Sequence, residues 1–279
     1  MKKIAKILLE VLLILFASVV LAVSLHGIKG NPNETELNSL KWKDEGPLEL
    51  SPDRGRFALT YSIVENKSLQ FSLPIAKFAV PDVAYSNNNY VSLFAPAVSF
   101  AVIPGYILGK ALGASQLGSF AAIAVFALLN MLLIKNIVSR LTGNNLAGTI
   151  SGLIFLFATP AFPYAVTLYQ HHLTTFCLLL SIYLVLKYNN LLSLSLVLFL
   201  SALSIPVDNP NAIFMFPIGL YAVGKFIKVE DLEKKIIFKI NYLGSIAIFV
   251  AIIPIFGLLM FNKLSHNQQL KLSGTLTAV

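Results

Sequence analysis

Eight long apolar segments constrain the fold of this chain more than any other feature of its sequence. A helix needs about 20 mostly apolar residues to cross the hydrocarbon core of a bilayer. Charged residues make up 12% of the 279 residues, well below the share that soluble domains carry. The segments are residues 4–25, 92–112, 116–138, 146–164, 170–187, 191–206, 211–228 and 241–262. The sequence therefore predicts an all-α, polytopic integral membrane protein.

The same composition excludes several other classes of protein. A cytosolic enzyme needs more charged surface than this sequence supplies, and a disordered chain is far less apolar. A disulfide-stapled secreted domain is excluded because Cys177 is the only cysteine. The net charge of +8 suits the basic cytoplasmic loops of a membrane protein better than a nucleic-acid surface. We therefore expect a multi-pass protein of the cell membrane, with the lipid bilayer and no nucleic acid as partner.

The stretch between the first two apolar segments differs from the rest of the chain. Residues 26–90 hold seven Lys or Arg, eight Asp or Glu and the only Trp, which is typical of a large polar loop. The predicted regions are a first transmembrane helix at 1–25, a large outer loop with broken juxtamembrane helices at 26–115, a transmembrane bundle at 116–262, and an outer tail at 263–279 that is a candidate for a truncated continuation.

The first segment also fits a cleaved signal peptide. Ala22-Val23-Ser24 is a passable cleavage site, and Lys2, Lys3 and Lys6 precede the apolar run. The run is long for a signal sequence, however, and it heads a polytopic chain. We therefore favour an uncleaved anchor.

The distribution of Lys and Arg predicts the orientation. If residues 92–112 enter and leave by the outer face, eleven Lys and Arg lie on the cytoplasmic side, and the outer turns 160–172 and 207–210 contain none. If this segment crosses, eight of the eleven lie outside, against the positive-inside rule. Pro96 and Pro104 also interrupt it, as in helices that do not span. The prediction is seven spans, a cytoplasmic amino terminus, and juxtamembrane or re-entrant helices at 92–112.

Three polar features meet on the outer face in this topology. Asp53 lies in the outer loop, and Asp208 lies at the outer end of the fifth span. His171 and His172 lie at the outer end of the fourth. Ionisable side chains at membrane depth usually face a cavity and serve a site. Two structural alternatives remain: Asp208 can cap a helix that begins near Asn211, and the histidines can form interfacial hydrogen bonds without a function.

The residues around Asp53 resemble a known signature. The outer loop contains Asp-Arg-Gly-Arg-Phe at 53–57, which is similar to the Asp-x-x-Arg-Tyr/Phe motif of the C-type (GT-C) membrane glycosyltransferases. This superfamily includes the protein mannosyltransferases and the lipid A aminoarabinose transferases. Residues 85–96 resemble its tyrosine-rich stretch that ends in proline, and 159–164 followed by His171 resembles a further element. The family fold, a first span followed by a large outer loop, agrees with the topology predicted from charge.

The resemblance implies transfer of a sugar from a polyprenyl-phosphate donor to a glycan, lipid or protein acceptor on the outer face. A lipid phosphate leaves as an anion without a proton, so one carboxylate acting on the acceptor suffices. Asp53 is the candidate base, and Arg54 and Arg56 are candidates to hold the donor phosphate. Asp53 is expected to be exposed, so that Asp53→Asn leaves folding intact. Further substrate-binding candidates are His171, His172 and Asp208.

Two questions stay open at this point. Some relatives use a divalent cation, for which Asp53, Asp82 and Asp208 would be the ligands, but their spacing identifies no metal site. A transporter or flippase-like protein also fits broken helices and intramembrane polar residues. A non-catalytic membrane subunit is the third class that the sequence allows.

Overall fold

The computed structural model of the protein describes residues 2–225, 227–232, 235–240 and 242–266. Most of them are helical, as predicted. The helices are α1 (Lys2–Ser24), α2 (Leu40–Lys43), α3 (Ser51–Glu65), α4 (Leu73–Ala79), α5 (Ala97–Ala101), α6 (Ile103–Ala111), α7 (Ser115–Thr142), α8 (Asn145–Phe157), α9 (Ala161–Tyr164), α10 (His171–Lys187), α11 (Leu191–Val207), α12 (Asn211–Gly224) and α13 (Tyr242–His266), with a short 3₁₀ turn at Glu36–Asn38.

Two antiparallel hairpins depart from the all-helical expectation. Strands β1 (Val83–Ser86) and β2 (Asn89–Ser92) pair through a tight turn. The turn residues Asn87 and Asn88 have φ of 48° and 63°, the left-handed backbone that such two-residue turns require and asparagine tolerates. Strands β3 (Ile227–Leu232) and β4 (Lys235–Ile240) form the second hairpin, at the break between the predicted apolar segments 211–228 and 241–262.

The chain divides into two compact units, one ending at His172 and the other beginning at Leu173. In the first, α7 packs against α1, α6 and α8. Apolar side chains of α1, α7 and α8 pack together in the core of this unit, and their dispersion contacts contribute to its stability. The buried core side chains are Leu13, Ala17, Leu21, Ala124, Ala127, Met131, Leu156 and Ala165.

Helices α6 and α7 meet backbone to backbone through glycines. A Cβ built on Gly105 would lie 2.2 Å from the carbonyl oxygen of Gly118. One built on Gly118 would lie 2.1 Å from the carbonyl oxygen of Gly105, and one built on Gly109 would lie 2.8 Å from Cα of Gly118. No side chain fits at either distance, so the glycines are what allows this crossing.

The long segment between α1 and α7 is an ordered, largely helical layer. Its core is aromatic: Phe57 of α3 contacts Phe78 of α4 and Tyr106 of α6, with ring centroids 6.4 and 5.7 Å apart. Such edge-to-face pairs add to the stability gained from burial. This packing fixes α3, whose amino-terminal turn carries the candidate site.

The second unit has its own apolar core. Helix α11 packs against α12 and α13. Asp208 ends α11 as its C-cap, and the N-cap of α12 is Pro210, with no side-chain cap bond. The buried core residues include Cys177, Leu184, Val197, Leu200, Met215 and Ala247.

Among the described residues, one helix is both long enough and apolar enough to cross a membrane. This is α7, with 28 residues and a mean hydropathy of 2.3 over its best window. At about 1.5 Å per residue, the 13 residues of α8 and the 14 of α12 fall short of the roughly 30 Å of a bilayer core.

Helix α7 extends beyond the predicted apolar segment 116–138. Lys135, one of the eleven basic residues predicted on the cytoplasmic side, lies within this helix and is 5% exposed. The helix continues to Thr142 because Gly143, with φ of 68°, provides the left-handed residue that ends it. Of the predicted tail at 263–279, residues 267–279 lie outside the described part of the chain.

Candidate functional site

Asp53 lies in the first turn of α3, and local sequence explains why a helix begins there. Leu50 is the extended N-cap, and Pro52 occupies the start of the helix, where its fixed φ is favourable and its missing N–H costs nothing. A carboxylate near a helix amino terminus also interacts favourably with the helix dipole. The motif seen in the sequence is therefore a helix start, with its side chains held in fixed directions.

Asp53 is buried, which corrects the expectation of an exposed loop aspartate. Asp53 is 1% exposed, and its Oδ1 accepts a hydrogen bond of 2.7 Å from the backbone N–H of Leu168. Burial raises the pKa of Asp53 to about 7, against the opposing effects of the Leu168 N–H and the Arg56 guanidinium. A carboxyl group with such a pKa exchanges a proton near neutral pH, which suits a general base or acid.

Arg56 lies one turn after Asp53 and is held from several sides. Its Nη2 donates a hydrogen bond of 2.6 Å to Oε1 of Gln170, and the residue is 4% exposed. The guanidinium carbon lies 4.3 Å from the centroid of the Phe94 ring and 5.5 Å from that of Tyr169. These cation–π contacts fix the plane of a permanently charged group.

Gly55 makes the approach of Phe94 possible. A Cβ at this position would lie 2.8 Å from the Phe94 ring and 3.3 Å from Cβ of Asp82. Asp82 therefore lies beside the same turn, and its buried Oδ2 has no hydrogen-bond partner among the described residues.

His171 forms the exposed edge of the arrangement. Its ring stacks on Tyr169 with centroids 5.7 Å apart and planes 7° from parallel. The centroid of the His171 ring also lies 4.2 Å from that of the Tyr164 ring. Burial raises the pKa of Tyr169, and the carboxylate of Asp53 is the second largest cause of the increase. The structure thus brings together a group that we call the Asp53 cluster: Asp53, Arg56, Phe94, Tyr169, Gln170 and His171.

The other predicted arginine, Arg54, points away from this cluster. Its guanidinium donates to the backbone carbonyls of Leu48 and Val80 at 3.2 Å each. It also bonds the carbonyls of Lys43 and Glu49. With four carbonyl partners and 9% exposure, Arg54 ties the preceding loop to α3, and this geometry does not hold a phosphate.

A further predicted residue, His172, lies inside the protein. His172 is 2% exposed, and both ring nitrogens have partners, Ala161 O at Nε2 and Asn130 Nδ2 at Nδ1. Both ring nitrogens are thus engaged by protein groups, and this geometry leaves neither of them for a substrate. Asp208 belongs to the second unit.

The described residues do not match the cation site that the resemblance suggested. Within them, no three His, Cys, Asp or Glu side chains are grouped so as to hold a metal ion.

Sequence reasoning missed four members of the site, each for a definable reason. Gln170 and Tyr169 directly precede the predicted histidines, so the polar run 169–172 was the available signal. The N–H of Leu168 belongs to the backbone and leaves no trace in residue type. Phe94 reaches the site only through the space at Gly55, a long-range contact that no local pattern encodes.

Comparison of the chain with protein-family models, curated proteins and solved structures finds no match.

Proposed function

We propose that the protein is a membrane glycosyltransferase that moves a sugar from a polyprenyl-phosphate donor to an acceptor on the outer face. The observation that carries this proposal is the pairing of a buried carboxyl group, with a pKa raised to about 7, with a fixed guanidinium one helical turn away. The carboxylate can take the proton of the acceptor, and the guanidinium can bind the phosphate of the donor. The resemblance of residues 53–57 to the GT-C signature supports the same pairing.

Each residue has a defined part in the proposed transfer. Asp53, in its charged form, takes the proton of the acceptor hydroxyl or amide as the bond to the anomeric carbon forms. The bond between that carbon and the phosphate oxygen breaks, and the lipid phosphate leaves as an anion. Arg56 stabilises the charge that develops on the leaving phosphate. Because Asp53 is 1% exposed, the acceptor reaches it only when covering side chains move aside.

The proposal includes a multi-pass membrane arrangement. The seven predicted spans correspond to α1, α7, α8 and α10–α13, and α7 alone among the described residues meets the length and hydropathy criteria for crossing. In the proposed orientation the amino terminus is cytoplasmic, and α3 with the Asp53 cluster lies outside. The short helices α8 and α12 would reach the interfaces with the help of flanking turns.

The direct test is transfer from a polyprenyl-phosphate sugar in membranes that carry each variant. Asp53→Asn should lower the transfer rate about a hundredfold or more, the usual scale for loss of a general base. Arg56→Lys should retain part of the activity, because it keeps the charge but loses the fork and the ring contacts. The wild-type rate should rise with pH to a plateau with a midpoint near 7, the pKa of Asp53.

The matched control is Asp44→Asn, which removes an exposed carboxylate from the same region of the chain without touching the cluster. Its transfer rate should equal that of the wild type. If Asp53→Asn transfers at the wild-type rate, the protein is not this enzyme, and the transporter or non-catalytic subunit takes the place of the proposal.

A further inference from the structure

A buried asparagine in the longest apolar helix contacts the segment that completes the Asp53 cluster. Asn130 of α7 is fully buried. Its Nδ2 lies 2.9 Å from the carbonyl oxygen of His172 and 3.2 Å from Nδ1 of the same residue. Its Oδ1 has no hydrogen-bond partner among the described residues. An unpaired amide oxygen is costly in an apolar interior, so packing alone would favour an aliphatic residue here.

The partners of His172 determine the form of its ring. Nε2 lies 2.8 Å from the carbonyl oxygen of Ala161, which can only accept, so Nε2 carries the proton. In the neutral ring Nδ1 is then an acceptor, and it receives the N–H of Asn130. The two residues therefore form one continuous chain of donors and acceptors from α7 through His172 to the start of α9.

This series of hydrogen bonds joins the two ends of a loop. The bond from His172 to Ala161 joins the two ends of residues 161–172, which we call the site loop, and Asn130 anchors that closure to α7. The site loop supplies the N–H of Leu168 to Asp53 and the side-chain oxygen of Gln170 to Arg56. Both of these contacts lie between the two closed ends.

We propose that Asn130 and His172 are positioning residues that hold the site loop so that Leu168 donates to Asp53. The inference deepens the proposed function and rests on it for its catalytic consequence. Its structural consequence is independent of the enzyme. The charged groups around Asp53 are Arg56, Tyr169 when ionised, and Asp82, which lies beside the same turn of α3. The Leu168 N–H is the neutral contact that favours the carboxylate. A looser loop loses that contact, and the pKa of Asp53 rises.

The test measures the protonation of Asp53 in the full-length protein, by the infrared carbonyl band of its protonated carboxyl group. The band is assigned by its absence in Asp53→Asn. Asn130→Leu and His172→Leu keep side-chain size and remove the hydrogen bonds, and each should move the midpoint upward by about one pH unit, the scale of one hydrogen bond to a charged group. His172→Gln, which retains a donor and an acceptor, should restore much of the wild-type midpoint.

Two controls make the result specific. Replacing Leu168 by its α-hydroxy analogue turns the backbone amide into an ester and removes only the N–H, so it should shift the midpoint in the same direction. Asn144→Leu removes an exposed asparagine outside the site loop and should leave the midpoint unchanged. Should the two leucine variants not fold, Asn130→Ser and His172→Gln replace them, with a smaller upward shift expected.

The outcomes separate this inference from the proposed function. Folded Asn130→Leu and His172→Leu variants with the wild-type midpoint, or in their place a folded Asn130→Ser variant with that midpoint, overturn the positioning role. Misfolding of all four variants overturns it as well, since the pair would then serve the fold alone. Transfer at the wild-type rate by Asp53→Asn overturns the enzyme, while the infrared midpoints still decide the role of Asn130 and His172. A midpoint shift in transfer that matches the infrared shift supports both.

Discussion

At the scale of single residues, the proton affinity of Asp53 results from three neighbouring influences. Burial favours the neutral carboxyl group, whereas the Leu168 N–H and the Arg56 guanidinium favour the carboxylate, and the balance raises the pKa to about 7. The folded protein therefore holds this proton more tightly than the unfolded chain, where an aspartate has its ordinary value of 3.8. The stability from this group is present below pH 3.8 and is lost as the pH rises to about 7.

This sign gives a prediction for Asp53→Asn, which removes the titration but keeps an oxygen to accept the Leu168 N–H. Relative to the wild type, the variant should gain stability between pH 5 and pH 7 by about 2 kcal/mol. Thermal unfolding in detergent at several pH values measures the difference. The exposed Asp44→Asn should show no such gain, and a stability difference that does not change with pH would contradict the burial argument.

Gly55 offers a second prediction at this scale. Gly55→Ala would place a methyl group 2.8 Å from the Phe94 ring, so the ring must move off Arg56. Such overpacking costs about 1–3 kcal/mol. We expect lower thermal stability and a transfer rate reduced more than in Phe94→Leu, which removes the ring without displacing the backbone. Wild-type activity in Gly55→Ala would show that the ring contact does not position Arg56.

At the scale of elements, the helices were predictable and the loops between them were less so. Apolar segments of roughly 20 residues favour helices, and each predicted apolar segment from 116 onward overlaps an observed helix. Two of these helices end early: α8 ends at Phe157 and α12 at Gly224, before the predicted 164 and 228. The β1–β2 hairpin was missed because its signal, Asn87 and Asn88 between short alternating runs, lies inside a polar stretch. Burial of Asp53 was missed because it depends on the distant site loop.

The crossing of α6 and α7 leads to a prediction about one element against another. Gly118→Ala would bring a methyl group to 2.1 Å from the carbonyl oxygen of Gly105, and a backbone atom cannot rotate away. A loss of 3 kcal/mol or more, above the usual range for overpacking, is expected from thermal unfolding. Gly219→Ala is the matched helical control, because its nearest neighbour would be 3.7 Å away and alanine favours helix.

At the scale of the whole molecule, the proposed topology places the β1–β2 turn and the α7–α8 turn on opposite sides of the membrane. In a Cys177→Ala background, which removes the only native thiol, Asn88→Cys should react with an impermeant maleimide on intact cells. Asn144→Cys should react only after permeabilisation. Both positions are exposed, so access to the reagent depends on the side of the membrane.

The two cysteine variants also test whether residues 92–112 cross the membrane. If they do not, α7 is the only span between the two labelled positions, and one of them reacts. If they do, a second crossing puts both positions on the same side, and both react or neither does. The second result would contradict the orientation derived from the basic residues and would place His171 on the cytoplasmic side.

The contact of Gly105 and Gly118 also limits how this molecule can vary in sequence. Most buried contacts tolerate paired exchange, in which a larger residue on one helix is accommodated by a smaller one on the other. Here each partner is already the smallest residue, and the atom in the way is a carbonyl oxygen that every residue has. No second mutation can compensate for the first, so any chain that keeps this crossing must keep glycine on both helices.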